Sequence, residues 1–108
     1  MKTTVANRGG SWLRKEKRRA IHLRDRNRCV YCGEKVTVNR TVDHVDPDGP
    51  NVYWNLVTAC KFCNSSKRNK SLEYFLQALA RRGVDIEETK KRLKKVTGKE
   101  VKERWQKR

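Results

Sequence analysis

No uninterrupted apolar run in this 108-residue sequence is longer than four residues, Cys29–Cys32. A membrane-spanning helix needs about 20, so no span is expected. Met1–Asn7 leads straight into Arg8 without the apolar stretch of a secretory leader, which points to a cytoplasmic protein. Acidic residues are also scarce, 12 against 28 Lys and Arg, for a formal net charge of +16. A compact chain so charged repels itself unless a polyanion is near. Only 35% of the residues are hydrophobic. At this length that describes one small domain whose core needs a staple besides burial.

The charge sits at the two ends. Residues 1–28 carry a net +8, residues 29–64 a net −1, and residues 65–108 a net +9. A nearly neutral centre between two basic flanks suits a nucleic-acid partner better than a solvated surface. A membrane surface fits less well, because no basic stretch has an opposite face rich in Trp, Phe or Leu.

Against this polar background stand four cysteines. Cys29-Val-Tyr-Cys32 and Cys60-Lys-Phe-Cys63 are two Cys-x-x-Cys pairs with 27 residues between them. Each pair can offer two sulfurs from one tight turn, and together they can surround a tetrahedral Zn²⁺. Two disulfides, in any of three pairings, are the alternative, but in a reducing compartment they would not persist. A redox Cys-x-x-Cys usually occurs once, near a βαβ pattern that is missing here. With sulfur at all four positions the ion would have no open site, so one structural zinc is expected, and it supplies the staple.

Local signals place the elements. Residues 1–10 read as a flexible basic arm ending in Gly9-Gly10, and Ser11 as the cap of a helix from Trp12 to about Arg26. Val36–Val38 and Thr41–Val45 are short β-type runs. Residues 46–51, Asp-Pro-Asp-Gly-Pro-Asn, form a dense turn signal before a second extended run, Asn55–Ala59, so a hairpin with a long functional loop is expected. Lys61 to about Lys70 suits a short helix. Ser71 caps a helix whose Leu72, Phe75, Leu76, Leu79 and Ala80 form one apolar stripe, closed by Gly83. Asp85 with Glu88 makes a capping box for a last helix to Val96, interrupted at Gly98. The expected organisation is an arm over 1–10, a domain over 11–82 with its motif core at 29–70, and a basic helical extension over 83–108.

Within the central segment, Cys29-x-x-Cys32, Asp43-His44, Asn55-Leu-Val, Cys60-x-x-Cys63-Asn64 and Lys67 together resemble the HNH endonucleases of the ββα-metal class, over about residues 24–71. The resemblance implies an α+β fold: a small ββα-metal core with its Cys₄ zinc, flanked by an N-terminal helix and C-terminal helices. It implies metal-dependent, weakly sequence-specific hydrolysis of double-stranded DNA, leaving 5′-phosphate and 3′-hydroxyl ends. His44 would be the general base, its second ring nitrogen held by a loop carbonyl with help from Asn55. Asp43 would bind the catalytic ion, together with Asn64. Many relatives carry histidine at the position of Asn64, so this chain reads H-N-N. An amide oxygen in place of imidazole makes an all-oxygen ligand set and points to Mg²⁺ or Mn²⁺. Lys67 and Arg68 would contact backbone phosphates, or else be solvated charge. His22 has no such context and reads as a packing or surface histidine. The resemblance reaches small free-standing nucleases of bacteriophages, some of which work beside packaging machinery, so a host cytoplasm is expected.

One tension remains. Asp43 and His44 are adjacent, and neighbours in a strand point to opposite faces, so both can serve one site only where the strand ends or twists. Two other classes compete: a non-catalytic zinc module that binds DNA or RNA, and a structural RNA-associated protein. Binding alone needs no carboxylate beside phosphate, and metal-dependent cleavage separates the first reading from both.

Overall fold

The computed structural model describes residues 13–98. The arm 1–10, Ser11 and Trp12, and the tail 99–108 lie outside the described residues. Helix α1 spans Lys15–Arg24, strand β1 Thr41–His44 and strand β2 Leu56–Ala59, with helices α2 at Lys61–Lys67, α3 at Leu72–Arg81 and α4 at Ile86–Thr97. The strands form one antiparallel pair, in which Thr41 faces Ala59, Val42 Thr58, Asp43 Val57 and His44 Leu56. The fold is α+β.

Strand alternation divides the hairpin between two cores. Val42 and Leu56 meet Leu13 and Ile21 beneath α1. Val57 and Ala59 join the larger core, with Tyr31, Cys63, Phe75 and Leu79 among its members. Helix α1 is stitched to the hairpin by polar bonds as well. Arg24 grips Asp25 with Nε and Nη2 and also donates to the carbonyls of Tyr53 and Leu56. The Asp25 carboxylate in turn accepts the N–H of Thr58 at 2.8 Å, on the edge of β2 away from β1.

Helix α3 buries Leu72, Phe75, Leu76 and Leu79 and is capped by Ser71, whose hydroxyl accepts from the N–H of Tyr74. Gly83, at φ +88°, closes it: its N–H bonds to the Ala80 carbonyl, and that of Val84 reaches back to Leu79, satisfying orphan carbonyls. Helix α4 does not stand apart from this core. Leu93 is fully buried in it. The Thr89 hydroxyl donates to the Tyr31 carbonyl, while Arg92 donates to the carbonyls of Val30 and Tyr31. A Cβ on Gly33, already at φ +83°, would stand 2.9 Å from Arg92 Nη1, so the first cysteine turn needs glycine there.

Four local expectations are corrected. The cap of α1 is Arg14, and its last helical residue is Arg24; the helix stops there because Arg26 and Asn27 both take positive φ. Val36–Val38 is no strand: Val36 is buried and Val38 exposed, and Asn39 bends the chain at φ +56°. Ala80 is exposed and lies off the buried stripe. Asp85 does cap α4, but the Glu88 carboxylate pairs with Lys91 at 3.3 Å instead of returning to the cap.

His22 is a packing histidine, its Nδ1 2.9 Å from Thr58 Oγ1. Burial, then the nearby Arg40 and Arg18, hold it below its usual range, so it is neutral when folded. Its folded value lies below the unfolded value of about 6.5. The stability it contributes is therefore complete above that pH and declines as the pH falls through it. The non-titrating His22→Gln protein is expected to lose less Tm between neutral and mildly acid pH than the wild type. Parallel Tm–pH curves would remove this role.

Candidate active site and metal centre

Each Cys-x-x-Cys pair closes a turn in which the N–H of the second cysteine points at the first sulfur, Cys32 to Cys29 at 3.5 Å and Cys63 to Cys60 at 3.3 Å. The four sulfurs lie within 4.8 Å of one another, with Cys32 Sγ and Cys60 Sγ 3.9 Å apart. Disulfide sulfurs stand about 2.05 Å apart, so that pair is not bonded. Sulfurs held about 2.3 Å from one tetrahedral ion stand about 3.8 Å from each other. The cluster thus has the spacing of four ligands around one metal. The Cys29 thiol is pushed up to about 12: the Cys32 hydrogen bond pulls it down, but the Cys63 bond and burial outweigh it. The Cys29 bond, then burial, raise Cys32 as well. A cation among them favours the thiolates, so metal uptake releases protons.

One residue links this cluster to the hairpin. The ring of Tyr31, inside the first cysteine turn, is fully buried and packs edge-on against Phe75 at 5.2 Å. Its hydroxyl donates to Asp43 Oδ2 at 2.5 Å. Burial and the Asp43 charge hold that hydroxyl well above its usual range, so it remains a donor. The same Oδ2 takes Lys67 Nζ at 3.1 Å. Lys67 Nζ also donates to the His44 carbonyl at 2.8 Å. Burial raises the Asp43 carboxyl, and Lys67 and Tyr31 act against that rise. Oδ1 takes no hydrogen bond among the described residues, leaving one carboxylate oxygen uncommitted.

Strand β1 ends at His44. The adjacent pair does obey alternation: Asp43 points to the Tyr31 side of the sheet and His44 toward the loop. His44 Nε2 lies 2.5 Å from Asn51 Oδ1. Nε2 is thus held by a side-chain amide of the loop. Asn55 is fully buried and braces that loop. Its Oδ1 accepts the N–H of Asp46, and its Nδ2 donates to the carbonyls of Asp46 and Pro50. A Cβ on Gly49 would come within 2.7 Å of Asn55 Nδ2, so glycine makes the brace possible.

Helix α2 carries the remaining candidates. Its cap is Cys60, whose sulfur accepts the N–H of Cys63, so Asn64 does not cap the helix. Asn64 is half-buried and three residues before Lys67, hence on the same helical face, the one turned toward β1. Its amide makes no hydrogen bond among the described residues. An uncommitted carboxylate oxygen and an uncommitted amide on facing elements fit a hard, oxygen-seeking cation. Lys67 requires correction. It has no exposed side-chain surface, because α2 packs that face on β1, so it is neither a phosphate contact nor solvated charge. Arg68 is exposed. Tyr31, Gly49 and Asn51 escape sequence reasoning. The aromatic inside a cysteine turn and the loop asparagine four residues before Asn55 are the only signals they leave.

Comparison with known proteins gives a concordant picture. The sequence model described as HNH endonuclease matches residues 29–70. The chain is 36% identical over 59 residues to YoqL of Bacillus subtilis strain 168, a protein from the SPbeta prophage named as an HNH endonuclease, covering 44% of this chain and 26% of that one. It is 33% identical over 69 residues to the CRISPR-associated endonuclease Cas9 of Corynebacterium diphtheriae, covering 59% of this chain and 6% of that protein. The crystal structure of the Type II-C Cas9 enzyme from Actinomyces naeslundii superposes with a TM-score of 0.59 at 27% identity, over 84% of this chain and 9% of the other. The chain thus spans about a quarter of the first relative and less than a tenth of the Cas9 proteins. No helix among the described residues is long and apolar enough to cross a membrane.

Proposed function

We propose, from the match of segment 29–70 to the HNH endonuclease model, that this chain is a member of that family and hydrolyses DNA phosphodiester bonds at the end of β1. The observation that carries the reading is the Asp43 carboxylate. Two donors fix its Oδ2 while Oδ1 stays uncommitted among the described residues, one residue from a histidine held by a braced loop.

Asp43 Oδ1 and the Asn64 amide oxygen would hold Mg²⁺ or Mn²⁺. When bound, such an ion offsets charge on the phosphate and on the departing 3′ oxygen. The residues do the rest. The neutral His44 imidazole accepts the proton of a water aligned for in-line attack. Tyr31 and Lys67 keep the Asp43 carboxylate from rotating. Asn55 holds the loop that positions His44. Arg68 and the exposed cations of α1 contact backbone phosphates, which tolerates many sequences and weakens with salt. The four cysteines hold one structural Zn²⁺.

Incubated with supercoiled plasmid at low salt, the protein is expected to relax the DNA with Mg²⁺ or Mn²⁺ and not with EDTA, leaving nicks that DNA ligase reseals directly. Binding without cleavage in every metal would favour a zinc-stabilised binding module instead. Cleavage undiminished by EDTA would remove the divalent ion from the reading.

A further inference from the structure

Asp43 is held by the core, but the His44 ring leaves the sheet and depends on the loop over residues 46–51. We propose that Asn51 is the positioning residue of His44, its amide oxygen taking the Nε2 proton and so fixing the tautomer and orientation of the ring. The inference rests on the reading of His44 as the base.

An amide oxygen can only accept. At 2.5 Å from Asn51 Oδ1, Nε2 must therefore carry the hydrogen, and in neutral imidazole the lone pair then lies on Nδ1. Asn51 is itself fixed at both ends. Its carbonyl accepts from Lys17 Nζ on α1 at 2.9 Å, and that ammonium also lies over the Tyr53 ring at 5.0 Å. The preceding carbonyl, of Pro50, accepts from Asn55 Nδ2 at 3.1 Å, a bond that exists only because Gly49 has no side chain. A chain of contacts thus runs from the buried Asn55 through the loop backbone to Asn51 and on to the imidazole. Asn51 is exposed, so replacing it removes the bond without opening the core.

The test uses the full-length, zinc-loaded protein with ¹⁵N-labelled histidine. A downfield His44 Nε2–H resonance, slow to exchange with water, is expected in the wild type. It is expected to persist in Asn51→Asp, which keeps an oxygen there, and to vanish in Asn51→Ala. Gly49→Ala, which displaces the Asn55 amide, should weaken it. Single-turnover plasmid nicking by Asn51→Ala should fall by about 10²-fold, the usual effect of a small misplacement, with plasmid affinity changed by less than about twofold. Asn51→Asp should recover most of that rate. A resonance that survives in Asn51→Ala overturns the assignment of Asn51. Loss of the resonance with undiminished nicking in both Asn51→Ala and His44→Ala overturns the base reading on which the inference stands.

Discussion

If the four-cysteine cluster holds zinc as proposed, stripping the ion is expected to unfold the chain. Cys29 and Cys63 are fully buried in the larger core, beside Val30, Tyr31 and Phe75. The first cysteine turn is also where Thr89 and Arg92 anchor α4, and the second cysteine pair begins α2. Three of the four α-helices among the described residues thus depend on it, α3 through the contact of Phe75 with Tyr31. A structural zinc site contributes about 10–16 kcal/mol of apparent binding free energy at neutral pH. A whole domain of this size is stable by only about 5–15 kcal/mol, so loss of the ion removes free energy comparable with the entire margin. Treatment with a strong chelator, or Cys29→Ser, should abolish most of the helical circular dichroism and the cooperative melt, with one zinc released per chain. The raised thiols give the acid side its sign: protons compete with the metal, so zinc should leave more readily as the pH falls. A metal-free protein with an unchanged spectrum and melting transition would show that the cluster is not the staple.

Lys67→Met is expected to be the most damaging single change that leaves the cysteines intact. The ammonium is fully buried and lies on Asp43 Oδ2 at 3.1 Å and on the His44 carbonyl at 2.8 Å. Removing it strands a buried carboxylate and a carbonyl, and breaking a buried pair from one side costs about 3–5 kcal/mol. In a domain this small that lowers Tm by roughly 12 °C or more. Replacing both charges should hurt less, because an amide at position 43 is cheaper to bury than an unpaired carboxylate. Asp43→Asn added to Lys67→Met is therefore expected to recover stability, giving a coupling energy of about 1–3 kcal/mol in a double-mutant cycle by chemical denaturation. Additive effects, or a Lys67→Met protein as stable as the wild type, would mean that the pair does not hold α2 to β1.

Lys67 also shows where reading the chain alone stops. Its neighbours Lys61, Arg68 and Lys70 are all exposed, and nothing local distinguishes it from them. Its burial is decided by which face of a two-turn helix meets β1, a tertiary choice with no periodic signal at that length. The cysteines are different. Two pairs at fixed spacing encode a cluster whatever lies between, and the sulfurs do gather. The α3 stripe, ten residues long and strongly periodic, was legible for the same kind of reason, and it misleads only at Ala80, the last position of the stripe. Val36–Val38 has β-branched residues but no partner strand, and propensity without a partner does not make a strand. In the candidate site, Asp43, His44 and Asn55 could be singled out because each belongs to a recurring motif. Tyr31 and Asn51 act through a hydroxyl and an amide brought in by folding, the first from 12 residues away in sequence and the second from 7.

The central claim is that His44 performs the proton transfer in metal-dependent DNA cleavage. Its most direct test compares nicking of supercoiled plasmid by the wild type and by His44→Ala, in Mg²⁺ or Mn²⁺, with zinc content and melting temperature matched between the two proteins. General-base catalysis typically contributes about 10²–10⁴-fold. The wild type is expected to nick, and His44→Ala to be slower by at least about 10²-fold while binding the plasmid equally well. A matched His44→Ala protein that nicks at the wild-type rate would contradict the account.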